Sequence, residues 1–143
     1  MSLRRLALVL LAVLALAAPA HAAASKLTAP TGLRGFLAEQ QTGTTFPRTP
    51  SFAWSPVRGA VKYQLVLSTS PLFAASGVVW DDATLTTPVA AVPIALPWIT
   101  GSPHSLYARV RGISGAGAAG PWSSSFGFDM RWSDSGVPQP VDH

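Results

Sequence analysis

The chain has 143 residues, ten Lys and Arg against six Asp and Glu, three His and no Cys, for a formal charge of +4. The missing cysteine excludes a disulfide framework, a thiol nucleophile and an acylated cysteine of the bacterial lipoprotein type. The charge is too mild, and too scattered along the chain, for the basic stripe that binding nucleic acid demands, so no nucleic-acid partner is expected.

The N-terminal residues carry an address. Arg4 and Arg5 precede the apolar run 6–18, Pro19 breaks that run, and Ala20-His21-Ala22 has the A-x-A form of a signal-peptidase site. Residues 1–22 are therefore expected to be a cleaved signal peptide, leaving a secreted, extracellular chain that starts near Ala23. The apolar run is shorter than the roughly 20 residues that span a bilayer, so no membrane association is expected after cleavage. Loss of Arg4 and Arg5 takes the basic count from 10 to 8 against 6 acids, a net charge of +2.

Beyond a small-residue lead-in, Ala29-Pro30-Thr31-Gly32 opens a first strand through Leu33 and Phe36. Residues 40–45, rich in Gln, Thr and Gly, read as a loop. Phe52 and Trp54 alternate with Ser51, Ala53 and Ser55 on a short strand that Pro56 and Arg58-Gly59 end. Next, Val61, Tyr63, Leu65 and Leu67 alternate with Lys62, Gln64 and Ser68. Period two with aromatic and β-branched residues is the mark of a half-buried antiparallel strand.

Residues 68–76, with Pro71, form a connection in which Leu72-Phe73 is apolar enough to pack back on the core. A short strand at 77–80 is expected to stop at a solvated turn, Asp81-Asp82. Residues 84–96 are extended, and Pro88 and Pro93 mark them as an edge or kinked strand. After a loop at 97–103, Leu106, Ala108 and Val110 alternate against Tyr107, Arg109 and Arg111. A Gly/Ala turn at 112–120 leads to a last strand at 122–130, with Phe126, Phe128 and Met130 in phase. No stretch of ten residues past the signal holds a 3.6 period, so almost no helix is expected. Residues 132–143, with Pro138 and Pro140, read as a flexible tail or linker.

About seven short strands between turn signals is the pattern of an all-β sandwich. Three motifs sharpen it: Trp54-Ser-Pro-Val-Arg-Gly-Ala-Val-Lys-Tyr63-Gln-Leu, Leu106-Tyr-Ala-Arg-Val-Arg-Gly, and Gly120-Pro-Trp-Ser123. In that order they resemble a fibronectin type III domain, in its bacterial extracellular form, over residues 27–131. The resemblance implies an immunoglobulin-like two-sheet sandwich, three strands facing four, with Trp54 and Tyr63 in the shared core. One departure stands out. The family places a Tyr early in its sixth strand, where phase with Val110 puts Leu106 and turns Tyr107 outward.

Chemistry-bearing residues are sparse. Past the signal, His104 and His143 are the remaining histidines, there is no G-x-S-x-G elbow, and no His pair has metal-ligand spacing. Asp81-Asp82 lacks the further oxygen ligands of a calcium site. No enzyme activity, cofactor or metal is therefore expected. Residues 96–101 resemble a sortase signal but carry one residue too many and sit mid-domain; no Arg-Gly-Asp is present.

Two candidate binding features remain. Strand neighbours should bring Lys62 beside Arg109 and Arg111 on the outer face of the larger sheet, with Tyr107 on the same face and Trp122 at the edge of the last strand. A guanidinium on an indole is a cation–π contact, and the stack is read as structural before it is a patch for acidic glycans. Trp98, between Pro97 and Ile99, is either a loop platform for sugars or a plug at the end of the sandwich, the plug being preferred. The chain is thus expected to be a monomeric, secreted, non-catalytic module for protein or cell-surface interaction or spacing, its partner a protein or a wall glycan. The alternatives are a carbohydrate-associated auxiliary module of an extracellular enzyme, against which the length argues because it leaves no room for a catalytic domain, and a surface or filament subunit.

Overall fold

The structure is a computed structural model that describes residues 26–38, 40–97 and 104–130. The expected signal peptide (1–22), the expected tail (132–143) and Trp98 lie outside the described residues. The described residues form nine strands, in order β1 (Arg34–Leu37), β2 (Gln40–Gly43), β3 (Thr45–Phe46), β4 (Ser51–Ala53), β5 (Ala60–Ser68), β6 (Val78–Leu85), β7 (Val89–Ala91), β8 (Leu106–Ser114) and β9 (Phe126–Met130). Among the described residues the helix content is one 3-10 turn, Ala75–Gly77.

The strands form two sheets, β2-β1-β4-β7 and β3-β9-β8-β5-β6, and the chain is an all-β sandwich. Neighbours run antiparallel except β3 and β9, which pair parallel through Thr45↔Asp129 and Phe46↔Met130. The sheets hold four and five strands rather than the three and four expected. The extra strands, β2 and β3, fall almost wholly within residues 40–45, read as a loop because Gln, Thr and Gly carry no alternation. Their pairing is set from outside: Gly35↔Gly43 and Leu37↔Gln40 fold β2 onto β1, and β3 crosses to the other sheet.

The core is built from the alternation. Phe52, Leu65, Leu67, Leu106, Ala108, Val110 and Phe128 are fully buried between the sheets. Each aromatic ring takes roughly 150–250 Å² out of water, about 4–6 kcal/mol gross at 25 cal/mol per Å². Trp54 stands just past β4 and meets Tyr63 edge-on, ring centroids 5.4 Å apart. The Tyr63 hydroxyl leaves the apolar layer to accept the Val57 N–H at 2.9 Å. Val61 breaks the pattern: the β5–β8 register slips between Ala60 and Lys62, and Val61 is 52% exposed instead of joining Tyr63.

Three further expectations are corrected. The Asp81-Asp82 pair is not a turn, because β6 runs straight through it. Acids are poor strand formers in general, but this strand is a sheet edge, where Asp81 accepts from Gln64 and Asp82 accepts from the Thr84 N–H and hydroxyl. The last strand begins at Phe126, not at residue 122. Of the Leu72-Phe73 pair, Leu72 is 85% exposed, while Phe73 is buried against the outer face of the five-stranded sheet rather than in the main core.

Candidate functional site

The outer face of the five-stranded sheet carries the most organised polar structure in the described chain. Register places Arg109 opposite Val66 and Arg111 opposite Gln64. Strand alternation turns both arginines away from Val110, onto the side of β8 that does not face the other sheet. Trp122 belongs to the irregular segment before β9. It is held alongside β8 because Ser123 donates its N–H to the Val110 carbonyl at 2.8 Å and accepts the Val110 N–H on its hydroxyl at 3.0 Å.

That clamp delivers the indole to both arginines. The Arg109 guanidinium carbon lies 4.1 Å from the Trp122 ring centroid and that of Arg111 lies 4.3 Å from it. Phe73 covers Arg109 as well, at 4.3 Å. The result is a ladder, Phe73, Arg109, Trp122 and Arg111, in which planar, weakly hydrated cations alternate with aromatic rings. Phe73 reaches it only by adopting φ +53°, a left-handed backbone conformation rare for a residue with a large side chain. The Phe73 N–H donates to the Ser70 carbonyl at 3.1 Å, which fixes that turn.

A polar chain continues from the ladder. Arg111 Nε donates to Gln64 Oε1 at 2.7 Å, and Gln64 Nε2 donates to Asp81 Oδ1 at 2.8 Å. Burial pulls the Arg109 guanidinium below its ordinary value, Arg111 pulls the same way, and Asp81 opposes both. The group nonetheless stays charged at any physiological pH. Arg109 Nε is buried with no acceptor.

The sequence-derived face is therefore only partly assembled as expected. Arg109, Arg111 and Trp122 come together; Lys62 shares their face two positions from Gln64 and is exposed. Tyr107 does not belong to a binding surface. It is 5% exposed, packed with Val66 and Phe73. The outward-facing side of β8 is capped there by the β5–β6 connection, which strand alternation alone cannot reveal. Phe73 and Asp81 are the members that sequence reasoning missed, the first because a left-handed residue has no signal in an apolar dipeptide. Asp129, the acid on the neighbouring strand β9, bonds to His104 and Ser105 and not to either arginine.

Asp129 organises a second cluster, at the entry to β8. Its Oδ2 lies 3.1 Å from His104 Nδ1, and its Oδ1 accepts the Ser105 N–H and hydroxyl, both at 2.9 Å. Burial pushes the Asp129 carboxyl up, but the bonds from His104 and Ser105 outweigh it and hold the group below its ordinary value. The His104 N–H donates to the Tyr107 hydroxyl at 3.3 Å. In this arrangement Ser105 is bonded to the carboxylate, not to the imidazole. A nucleophilic relay needs the opposite order, hydroxyl to imidazole to carboxylate. The cluster ties the loop before β8 to β9.

An open cleft of about 550 Å³ is lined mostly by small residues such as Ala118 and Ala119, together with Lys26 and Leu27. No group of three or more His, Asp or Glu that could hold a metal ion occurs among the described residues. No family model, no curated protein and no solved structure matches this chain.

Proposed function

We propose that this chain is a secreted, non-catalytic sandwich of fibronectin type III-like topology that serves as an interaction or spacing module at the cell surface. The observation that carries the reading is the outer sheet face, where an ordered ladder of arginines and aromatics is presented on a two-sheet frame while Ser105 and His104 are both turned to holding Asp129. The edge-on pair of Trp54 and Tyr63 in the core supports the family resemblance. A five-stranded sheet with a parallel β3 departs from it.

The mechanism is passive. A rigid frame holds one face and the loops at its ends, and a partner meets surfaces that need no rearrangement. Two measurements test the reading. N-terminal sequencing of protein from the culture medium should find Ala23 or a residue within two of it; recovery of Met1 there would remove the secretion step. A binding screen against wall preparations, glycans and extracellular proteins should return a partner. Turnover of a substrate in place of stable binding would overturn the module assignment.

A further inference from the structure

We propose that the ladder face binds an extended, oxyanion-bearing polymer, its carboxylate or phosphate groups taken by Arg109, Arg111 and Lys62. This rests on the reading of the chain as a secreted interaction module and specifies the chemistry of its partner. The starting observation is a charge imbalance. Neither Arg109 nor Arg111 forms an ion pair with a described residue; Asp81 reaches Arg111 only through Gln64, and Asp129 is held by His104 and Ser105. With Lys62, three cations share the face with two carboxylates, Asp81 and the more distant Asp129, both already hydrogen-bonded to neutral or histidine partners.

Stacking accounts for the position of these arginines but not for their charge. Alternate residues on a strand stand roughly 7 Å apart, so two guanidiniums are fixed one strand repeat from each other. Arg109 Nε is buried and Arg111 Nε is used by Gln64, which leaves the terminal nitrogens as the donors each offers outward. Such ends match the paired oxygens of carboxylate or phosphate. Since aromatic rings on either side already order the side chains, a ligand meets little further cost in immobilising them.

The shape of the surface selects the kind of ligand. An open sheet face offers a single small anion no enclosure, whereas a chain with repeated charges can engage several cations at once. Single-stranded nucleic acid is disfavoured by the same ladder: bases need a free aromatic surface to stack on, and Trp122 already packs against two guanidiniums.

Retention of the purified protein is measured on immobilised polygalacturonate, polyphosphate, neutral dextran and single-stranded DNA over a range of salt. The expected result is salt-sensitive retention on polygalacturonate or polyphosphate, none on dextran, and less on DNA. The polymer that retains it identifies the source of the oxyanion. Arg111→Gln should weaken retention on the order of tenfold, the worth of one charge-assisted hydrogen bond. Lys62→Gln, at an exposed side chain with no hydrogen bond or ion pair to a described residue, should weaken it by a few-fold with an unchanged melting temperature, which separates binding from folding. Retention on neither acidic polymer, preference for DNA, or full retention by both variants overturns the inference. Any of these leaves the module reading standing, since that falls only if the wider screen yields catalysis instead of a partner.

Discussion

Trp54 and Trp122 make opposite use of the same side chain, and their substitutions should separate. Trp54 is 3% exposed and packs against Tyr63, so Trp54→Ala should cost about 3–5 kcal/mol in denaturant unfolding. Trp122 is half-buried on the outer face, and its worth lies in two cation contacts. Trp122→Leu keeps an apolar cover over β8 and should cost about 1–2 kcal/mol. Leu72→Ala, at a side chain that is 85% exposed, should change stability by less than about 0.5 kcal/mol. Equal losses at residues 54 and 122 would mean that the core is not where the alternation puts it. At this scale the sequence was informative wherever the backbone is regular. Phe52, Tyr63, Leu65, Leu106 and Val110 all face as period two demands, whereas Val61 and Phe73 escape it through a register slip and a left-handed turn.

Strand β9 is tied to the entry of β8 by one carboxylate. Because hydrogen bonds hold the folded-state value of Asp129 below its unfolded one, the stability it contributes is complete above the ordinary carboxylate range. It is lost as pH falls through the folded value. Unfolding free energy followed from about pH 5 to pH 2 should therefore drop more steeply in the parent than in Asp129→Asn. Gly127 makes the tie possible. A Cβ there would overlap the His104 ring, which stands edge-on to the Tyr107 ring with centroids 6.2 Å apart. Gly127→Ala should displace the imidazole, weaken its bond to Asp129 and lower the melting temperature. None of this was legible in the chain, since a histidine outside a strand and an acid 25 residues later share no pattern. The Arg109, Arg111 and Trp122 assembly was legible, because strand neighbours and alternation suffice to bring them to one face. Strands β2 and β3 were not: their pairing partners, rather than their own residues, make them strands.

For the whole molecule, the sheet edges decide whether copies join. Strand β7 is three residues long and stands between Pro88 and Pro93, which limit what it can donate. The longer edge, β6, carries Asp81 and Asp82 and is interrupted by two register irregularities against β5. Charges and bulges of this kind deny a second chain a flat row of donors and acceptors. Size exclusion with light scattering should accordingly give the mass of one chain. Replacing Asp81 and Asp82 together by valine should produce higher-mass species at the same concentration. A dimer of the parent protein would show that the guarded edge is not the relevant surface.

The parallel pairing of β3 with β9 has a mechanical consequence. The chain reaches β3 at Thr45 and leaves β9 after Met130. Tension from the two sides of the domain therefore drags these strands along a common axis in opposite senses. Once β1 and β2 have been drawn off, the bonds between β3 and β9 are loaded together in shear rather than opened in succession. The clasp involves two residues of β3, with Thr44 adding one bond in which its carbonyl accepts the Asp129 N–H at 2.8 Å. A sandwich stretched between two anchors would hold briefly at that point, then yield from the β9 side, exposing Phe46 and Phe128 before Trp54 and Tyr63 are disturbed.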